Sequence, residues 1–251
     1  MSLRQFFLRL LNIPLKPIGL AAVPAWEIQW WSSARKFSLG GREYPCFYHA
    51  YNCGWPPYVS ERTVELALAD AWLSAVQGDV TEIGAVTPYY WPGRVTGIID
   101  PYDPHPLVTQ RGSMFDVDFS GRAVLAISTF EHIGTDDYNE NREHKTSADA
   151  LSKLFHESPS FLVTVPLGYS PSVDSFLADS RKLPSDVSVG FLRRTTGSDW
   201  TEISSFPTGG IQYGDDKLMA EFPETSIGRW ANAIAVLERG QALRSAEPAT
   251  T

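Results

Sequence analysis

From about residue 60 onward the chain alternates helical and strand-like hydrophobic patterns, and few architectures accept that alternation. A helical pattern opens behind Ser60 with Glu61 in its first turn, carries Val64, Leu66, Leu68, Ala71, Trp72, Leu73 and Val76, and stops at Gly78. Short apolar runs follow at 79–86 (DVTEIGAV), 94–100 (RVTGIID) and 122–128 (RAVLAIS), each predicted as a strand. A helix over 148–156 leads into a buried strand at 160–167 (SFLVTVPL). Ser170 then caps a helix through Leu177, with Pro171 at its first position and Asp174 in its first turn. The rhythm changes at the end, where 187–195 and 200–206 form a hairpin and 232–238 (NAIAVLE) reads as a last strand. The pattern predicts an α/β fold: a seven-stranded, mostly parallel sheet with an antiparallel final strand, flanked by helices.

The length of 251 residues suits one large domain with appendages. Lys and Arg number 21 against 29 Asp and Glu, and the net charge of −8 argues against nucleic acid and against an anionic membrane surface. Cys46 and Cys53 are too few for a disulfide framework and wrongly spaced for a zinc knuckle, which points to thiols in a reducing cytoplasm. Leu3, Phe6, Phe7, Leu10 and Leu11 share one helical face before Pro14. That stretch is too short to span a bilayer, and Arg9 and Lys16 break it as a secretory leader. It is expected to dock on the body or on a second subunit of a homodimer, with an interfacial membrane helix as the other reading. Residues 1–58 hold 12 of the 31 Phe, Trp and Tyr, so this front segment does something separate from the sheet. The expected division is an arm and acceptor-binding lid over 1–59, the sheet domain over 60–240 and a disordered tail over 241–251.

In open α/β sheets ligands bind beyond the carboxyl ends of the strands, where the strand order reverses. The first strand delivers Glu82 and Gly84, and Gly84 lets backbone approach a ligand closely. Asp100 ends the second strand 16 residues after Gly84, near the spacing at which a carboxylate receives a ribose diol.

The series EIG at 82–84, IID at 98–100, GSMFD at 112–116 and ISTFEHIG at 127–134 resembles the successive motifs of class I S-adenosylmethionine-dependent methyltransferases. It is most similar to the type 11-like group, and the likeness runs over about residues 60–240. The sequence departs from that pattern in having one glycine after the first strand and Ser113 where an acid is usual. The resemblance implies a Rossmann-like fold with a site for S-adenosylmethionine laid across the strand ends. Glu82, Ile83, Gly84 and Ala85 would line the methionine side. Asp100 would take the ribose hydroxyls, and Tyr102 would flank the nucleoside. Ser113, Met114 and Phe115 would hold the adenine, and Ser128 and Thr129 would form the floor beneath the sulfonium.

Methylation of a hydroxyl also requires a general base, and histidine suits neutral pH. The candidates are His132, in the pair with Glu131, and His144, in a polar loop expected to close over the acceptor. Asp136 and Asp137 in the same loop would hold Mg²⁺ if a metal acidifies a sugar diol. Flat aromatic surfaces with polar handles suit sugar rings, which makes Glu27, Tyr44, His49, Asn52 and Tyr58 the candidate acceptor contacts. The expected activity is O-methylation of a small acceptor, a sugar or oligosaccharide in polysaccharide synthesis. The alternatives are a methyltransferase for an aromatic or lipid-like metabolite and a non-catalytic binding module of the same fold.

Overall fold

The computed structural model describes residues 36–47, 61–135, 145–195, 199–213 and 231–240, together with Leu10, Leu11, Ile13 and Leu243. A Gly-Gly dipeptide joins its first two strands as a hairpin that lies outside the strands predicted from the sequence. Gly40 and Gly41 have φ of 60° and 77° and reverse the chain between β1 (Lys36–Leu39) and β2 (Arg42–Pro45), with Leu39 opposite Arg42. A mirror-image turn with φ > 0 at both centres matches the twist of two strands so tightly joined. Phe37, Leu39 and Tyr44 point inwards from this hairpin, and the Phe37 and Tyr44 rings stack with centroids 5.5 Å apart. The Gly40 N–H donates to the Glu202 carboxylate at 3.0 Å, fixing the turn to the main sheet.

The alternation seen in the sequence builds that sheet. In chain order its elements are α1 (Arg62–Ala75), β3 (Val80–Ile83), β4 (Gly97–Ile99), β5 (Ala123–Ile127), α2 (Ser147–Glu157), β6 (Ser160–Pro166), α3 (Pro171–Ala178), β7 (Ser188–Arg194), β8 (Trp200–Ile203) and β9 (Ala233–Arg239). The strand order is β4-β3-β5-β6-β9-β7-β8. β4, β3, β5 and β6 pair in parallel, whereas β9 is antiparallel to both β6 and β7, and β8 is antiparallel to β7. All seven predicted strands therefore join one mixed sheet, and two of them, β8 and β9, oppose the rest. Its order is not that of the common doubly wound dinucleotide sheet. The chain leaves β3 for β4 on one side and returns to β5 on the other, which places the reversal at β3.

Period-two alternation gives β5 two buried faces. Leu125 and Ile127 join Leu66, Leu68 and Trp72 of α1, while Val124 and Ala126 join Leu151 and Leu154 of α2 and Val173 of α3. α2 opens with a capping box in which the Thr146 hydroxyl accepts from the Asp149 N–H at 3.2 Å and the Asp149 carboxylate accepts from the Thr146 N–H at 2.8 Å. Ser170 stands at the N-cap of α3, as expected, but its hydroxyl makes no capping bond; it lies 3.0 Å from that of Ser147 and joins the two helix starts.

Two residues take places other than those expected. Tyr44, expected among acceptor contacts, is 6% exposed in the core with the hairpin. Leu243, expected in a disordered tail, is buried; its N–H donates to Glu238 at 2.6 Å and its carbonyl accepts from the Tyr44 hydroxyl at 3.4 Å. Among the described residues no helix is long and apolar enough to cross a membrane. Of the predicted N-terminal helix over 3–11 only Leu10 and Leu11 are described, and these, like Ile13 beyond it, are helical and exposed.

Gly41→Val forces a β-branched residue into φ > 0 and should lower stability by about 1–2 kcal/mol in denaturant titration, whereas Gly41→Asn, which tolerates that conformation, should lose under about 1 kcal/mol. Equal losses would place the constraint elsewhere than the turn.

Candidate functional site

A cavity of about 560 Å³ opens beyond the carboxyl ends of β3, β4 and β5, at the strand reversal. Ile83, Gly84 and Ala85 line it from the end of β3, Asp100 and Tyr102 from beyond β4, Ser113, Met114 and Phe115 from the turn after Gly112, and Ser128 and Thr129 from beyond β5. Ten of the eleven residues named from the sequence as cofactor contacts thus share one cavity.

The eleventh, Glu82, is turned away from it. Its carboxylate is fully buried beneath the turn that follows β3 and accepts from the Val86 N–H at 3.2 Å, the Thr87 N–H at 2.9 Å and the Thr87 hydroxyl. Strand alternation explains the placement, because Glu82 and Ile83 project to opposite faces. Asp100 completes the support: one oxygen accepts from the Ala85 N–H at 3.0 Å, the other from the Tyr102 and Asp103 N–H groups at 2.8 Å. Gly84 has φ of 83°, its N–H donates to the Ile99 carbonyl at 2.9 Å, and a Cβ there would collide with the Thr129 hydroxyl.

Beneath the floor lies a polar cluster of which the sequence reading named only Glu131 as a site residue. Glu61, Glu65 and Glu131 are buried, and Arg62, which lines the cavity, stands 3.5 Å from Glu65 and donates to the Ile127 carbonyl at 3.2 Å. The Ser128 hydroxyl donates to Glu65, 2.7 Å from either oxygen. Ser128 has φ of 44°, alone among described non-glycine residues in being positive. Such conformations collect at sites where the surrounding structure over-determines them. The signal available in the sequence was Glu65, a charge on the helix between Val64 and Leu66.

Burial pushes the Glu82 carboxyl up to about 7 against the hydrogen bonds that favour its charge. Burial, and then the neighbouring Glu65, push Glu61 to about 7 and Glu131 well above the usual carboxylate range.

His132 lines the cavity, its Nε2 3.5 Å from Glu131 Oε1 and its ring 4.9 Å from that of Tyr169, which in turn lies 4.7 Å from Tyr213. Lys145 and Asp103 also reach the cavity, and neither was foreseen. His144, Glu27, His49, Asn52, Tyr58, Asp136 and Asp137 lie outside the described residues. Among the described residues no group of three or more His, Cys, Asp or Glu side chains is arranged to hold a metal ion. Compared with family models, curated proteins and solved structures, the chain matches none.

The buried glutamates dictate a pH dependence. A carboxyl whose pKa is raised by folding contributes its full stability below the unfolded value near 4.5 and loses it as pH rises through the folded value near 7. Stability should therefore fall between about pH 4.5 and pH 8. Glu82→Gln, which keeps an acceptor for the turn, should remove about 3 kcal/mol of that fall in denaturation curves taken across pH. An unchanged slope in this variant would show that Glu82 titrates normally.

Proposed function

We propose that this chain is an S-adenosylmethionine-dependent O-methyltransferase of Rossmann-like fold, working in the cytoplasm on a hydroxyl of a small acceptor, with a sugar or oligosaccharide as the acceptor class. The observation that carries the reading is the cavity at the strand reversal, whose volume of about 560 Å³ falls within the range of small-molecule sites. The residues fit the group. Gly84 leaves open the space a side chain would fill, and Asp100 brings a carboxylate to the end of β4. Ile99, Met114 and Phe115 offer apolar and aromatic surface for a base, beside the polar Ser113.

When bound, the cofactor supplies an electrophilic methyl group on a sulfonium. The chain must align the acceptor hydroxyl behind that group, exclude water and receive a proton. His132 is the described base candidate, placed just beyond the floor residues Ser128 and Thr129. Glu131 Oε1 lies 3.5 Å from its Nε2, so a proton taken up by the imidazole favours the ionised form of a carboxyl that burial otherwise keeps protonated. The adjoining rings of Tyr169 and Tyr213 fix the imidazole plane and offer stacking surface to a ring-shaped acceptor. On this reading His144 and the acidic residues Asp136 and Asp137 would serve the acceptor.

Calorimetry with S-adenosylhomocysteine should give one site per chain, and no heat of binding at millimolar ligand would end this reading. Asp100→Ala should weaken that binding at least about tenfold, through the lost ribose contact and the slackened turn, while the far-ultraviolet circular dichroism stays unchanged. His132→Ala should retain cofactor affinity and reduce turnover on a hydroxylated acceptor by about 10²-fold or more.

A further inference from the structure

Leu10, Leu11 and Ile13 are helical and 47, 56 and 68% exposed, more than any other large apolar side chain among the described residues. Three such side chains within about one helical turn make a continuous patch, unlike the single exposed leucines that any surface carries. Docking on the sheet domain through this row would cover them, so these three residues are not the contact of a docked arm. The sequence extends the row. Leu3, Phe6 and Phe7 precede Leu10 by seven, four and three residues, Leu11 follows Phe7 by four, and Ile13 follows Leu10 by three. Those spacings share one side of a helix, whereas Arg4 and Arg9 fall outside it and Pro14 ends it.

The net charge of −8 conceals an uneven division. The first 26 residues contain Arg4, Arg9 and Lys16 and no Asp or Glu, so all 29 acidic residues lie beyond them. Twelve of the same 26 are Leu, Ile, Val, Phe or Trp. A stretch that is apolar along one side and basic elsewhere has the composition of a helix lying in the boundary between water and lipid. Its apolar side chains enter the acyl region, and its Arg and Lys side chains reach the headgroup phosphates. The charges also separate lipid from a second copy of the chain. Two such helices packed row to row would bring Arg4, Arg9 and Lys16 of both copies together, with no acid in either segment to pair them.

We propose that residues 3–13 form an interfacial anchor that binds the chain to the surface of an anionic phospholipid bilayer, with Leu10, Leu11 and Ile13 immersed below the headgroups. The acid-rich remainder of the chain is repelled by the same surface, which confines contact to this segment and makes the attachment reversible. Anionic lipid is characteristic of the cytoplasmic leaflet, so the anchor agrees with the cytoplasmic setting proposed above. The inference concerns where the chain is held and does not depend on the reaction at the cavity.

The test is cosedimentation of the full chain with vesicles of phosphatidylcholine alone, or of phosphatidylcholine and phosphatidylglycerol at about 2:1. The unmodified protein should pellet with the mixed vesicles and bind the neutral ones at least about tenfold more weakly. Raising the salt from about 0.1 M to about 0.5 M should weaken binding to the mixed vesicles severalfold. The combined substitutions Leu10→Ser, Leu11→Ser and Ile13→Ser should lower that binding at least about tenfold while the thermal unfolding midpoint of the sheet domain stays unchanged. Arg4→Gln, Arg9→Gln and Lys16→Gln together should lower it by a similar factor on mixed vesicles and change little on neutral ones. Absence of pelleting with the mixed vesicles, equal binding to both compositions, or full binding by the serine variant would overturn the proposal. So would light scattering that shows an unmodified dimer which the serine substitutions convert to a monomer, because a second copy would then cover the row.

Discussion

The contact of Thr129 with Gly84 governs the geometry of everything above the sheet. With no Cβ at Gly84, the turn after β3 lies directly on the turn after β5, and the Gly84 N–H reaches the last residue of β4. Three strand ends are thereby held at fixed spacing, and the cavity is the space left between them. Any side chain at position 84 would need both a left-handed backbone and the displacement of Thr129, whose hydroxyl is held by the Ile127 carbonyl. The site is thus tied to the sheet through backbone as well as through side chains.

Two carboxylates let one glycine do what a glycine-rich turn does elsewhere. A run of glycines follows a tight path because it has no side chains to clash, but it leaves amide hydrogens to be satisfied by the ligand or by water. Here Glu82 takes the N–H groups of Val86 and Thr87 from below, and Asp100 takes that of Ala85 from the side. The turn is held by acceptors built into the strands, so Ala85, Val86 and Thr87 need no special conformational freedom. Burying the Glu82 carboxyl is the cost, visible in its raised pKa.

The sheet was legible because its strands are written in hydrophobic period, and each predicted strand overlaps an observed one. The cavity residues were legible for a related reason: Gly84, Asp100 and Ser128 follow strands, and strand ends converge in an α/β sheet. What escaped depends on contacts distant in sequence. The resemblance implied Glu82 as a cofactor contact together with Ile83, Gly84 and Ala85, yet one residue of strand register decides which face a side chain takes. Tyr44 sits in an aromatic-rich segment whose composition is the same for a lid and for a core; the alternation of Phe37, Leu39 and Tyr44 around Gly40-Gly41 was the available signal. Arg62 and Glu65 open a helix that reads as merely amphipathic, and only folding brings them under β5.

The buried charges also change how the acidic composition is understood. A net charge of −8 suggests a solvated surface, yet Glu61, Glu65, Glu82 and Glu131 are all enclosed. Replacing such a cluster by apolar residues of similar volume is commonly neutral or stabilising, so it is not what holds the fold together. The two apolar layers on either face of β5 supply that stability, with side chains of 0% exposure above and below. The cluster instead sits around the strand ends, where Glu82 holds the turn after β3, Glu65 the Ser128 hydroxyl after β5 and Glu61 the Ala231 N–H ahead of β9. There the carboxyls fix hydroxyls and amides in directions that water would not hold them. The same burial that raises their pKa values keeps the local dielectric low, and it strengthens every electrostatic contact the cavity makes with a ligand.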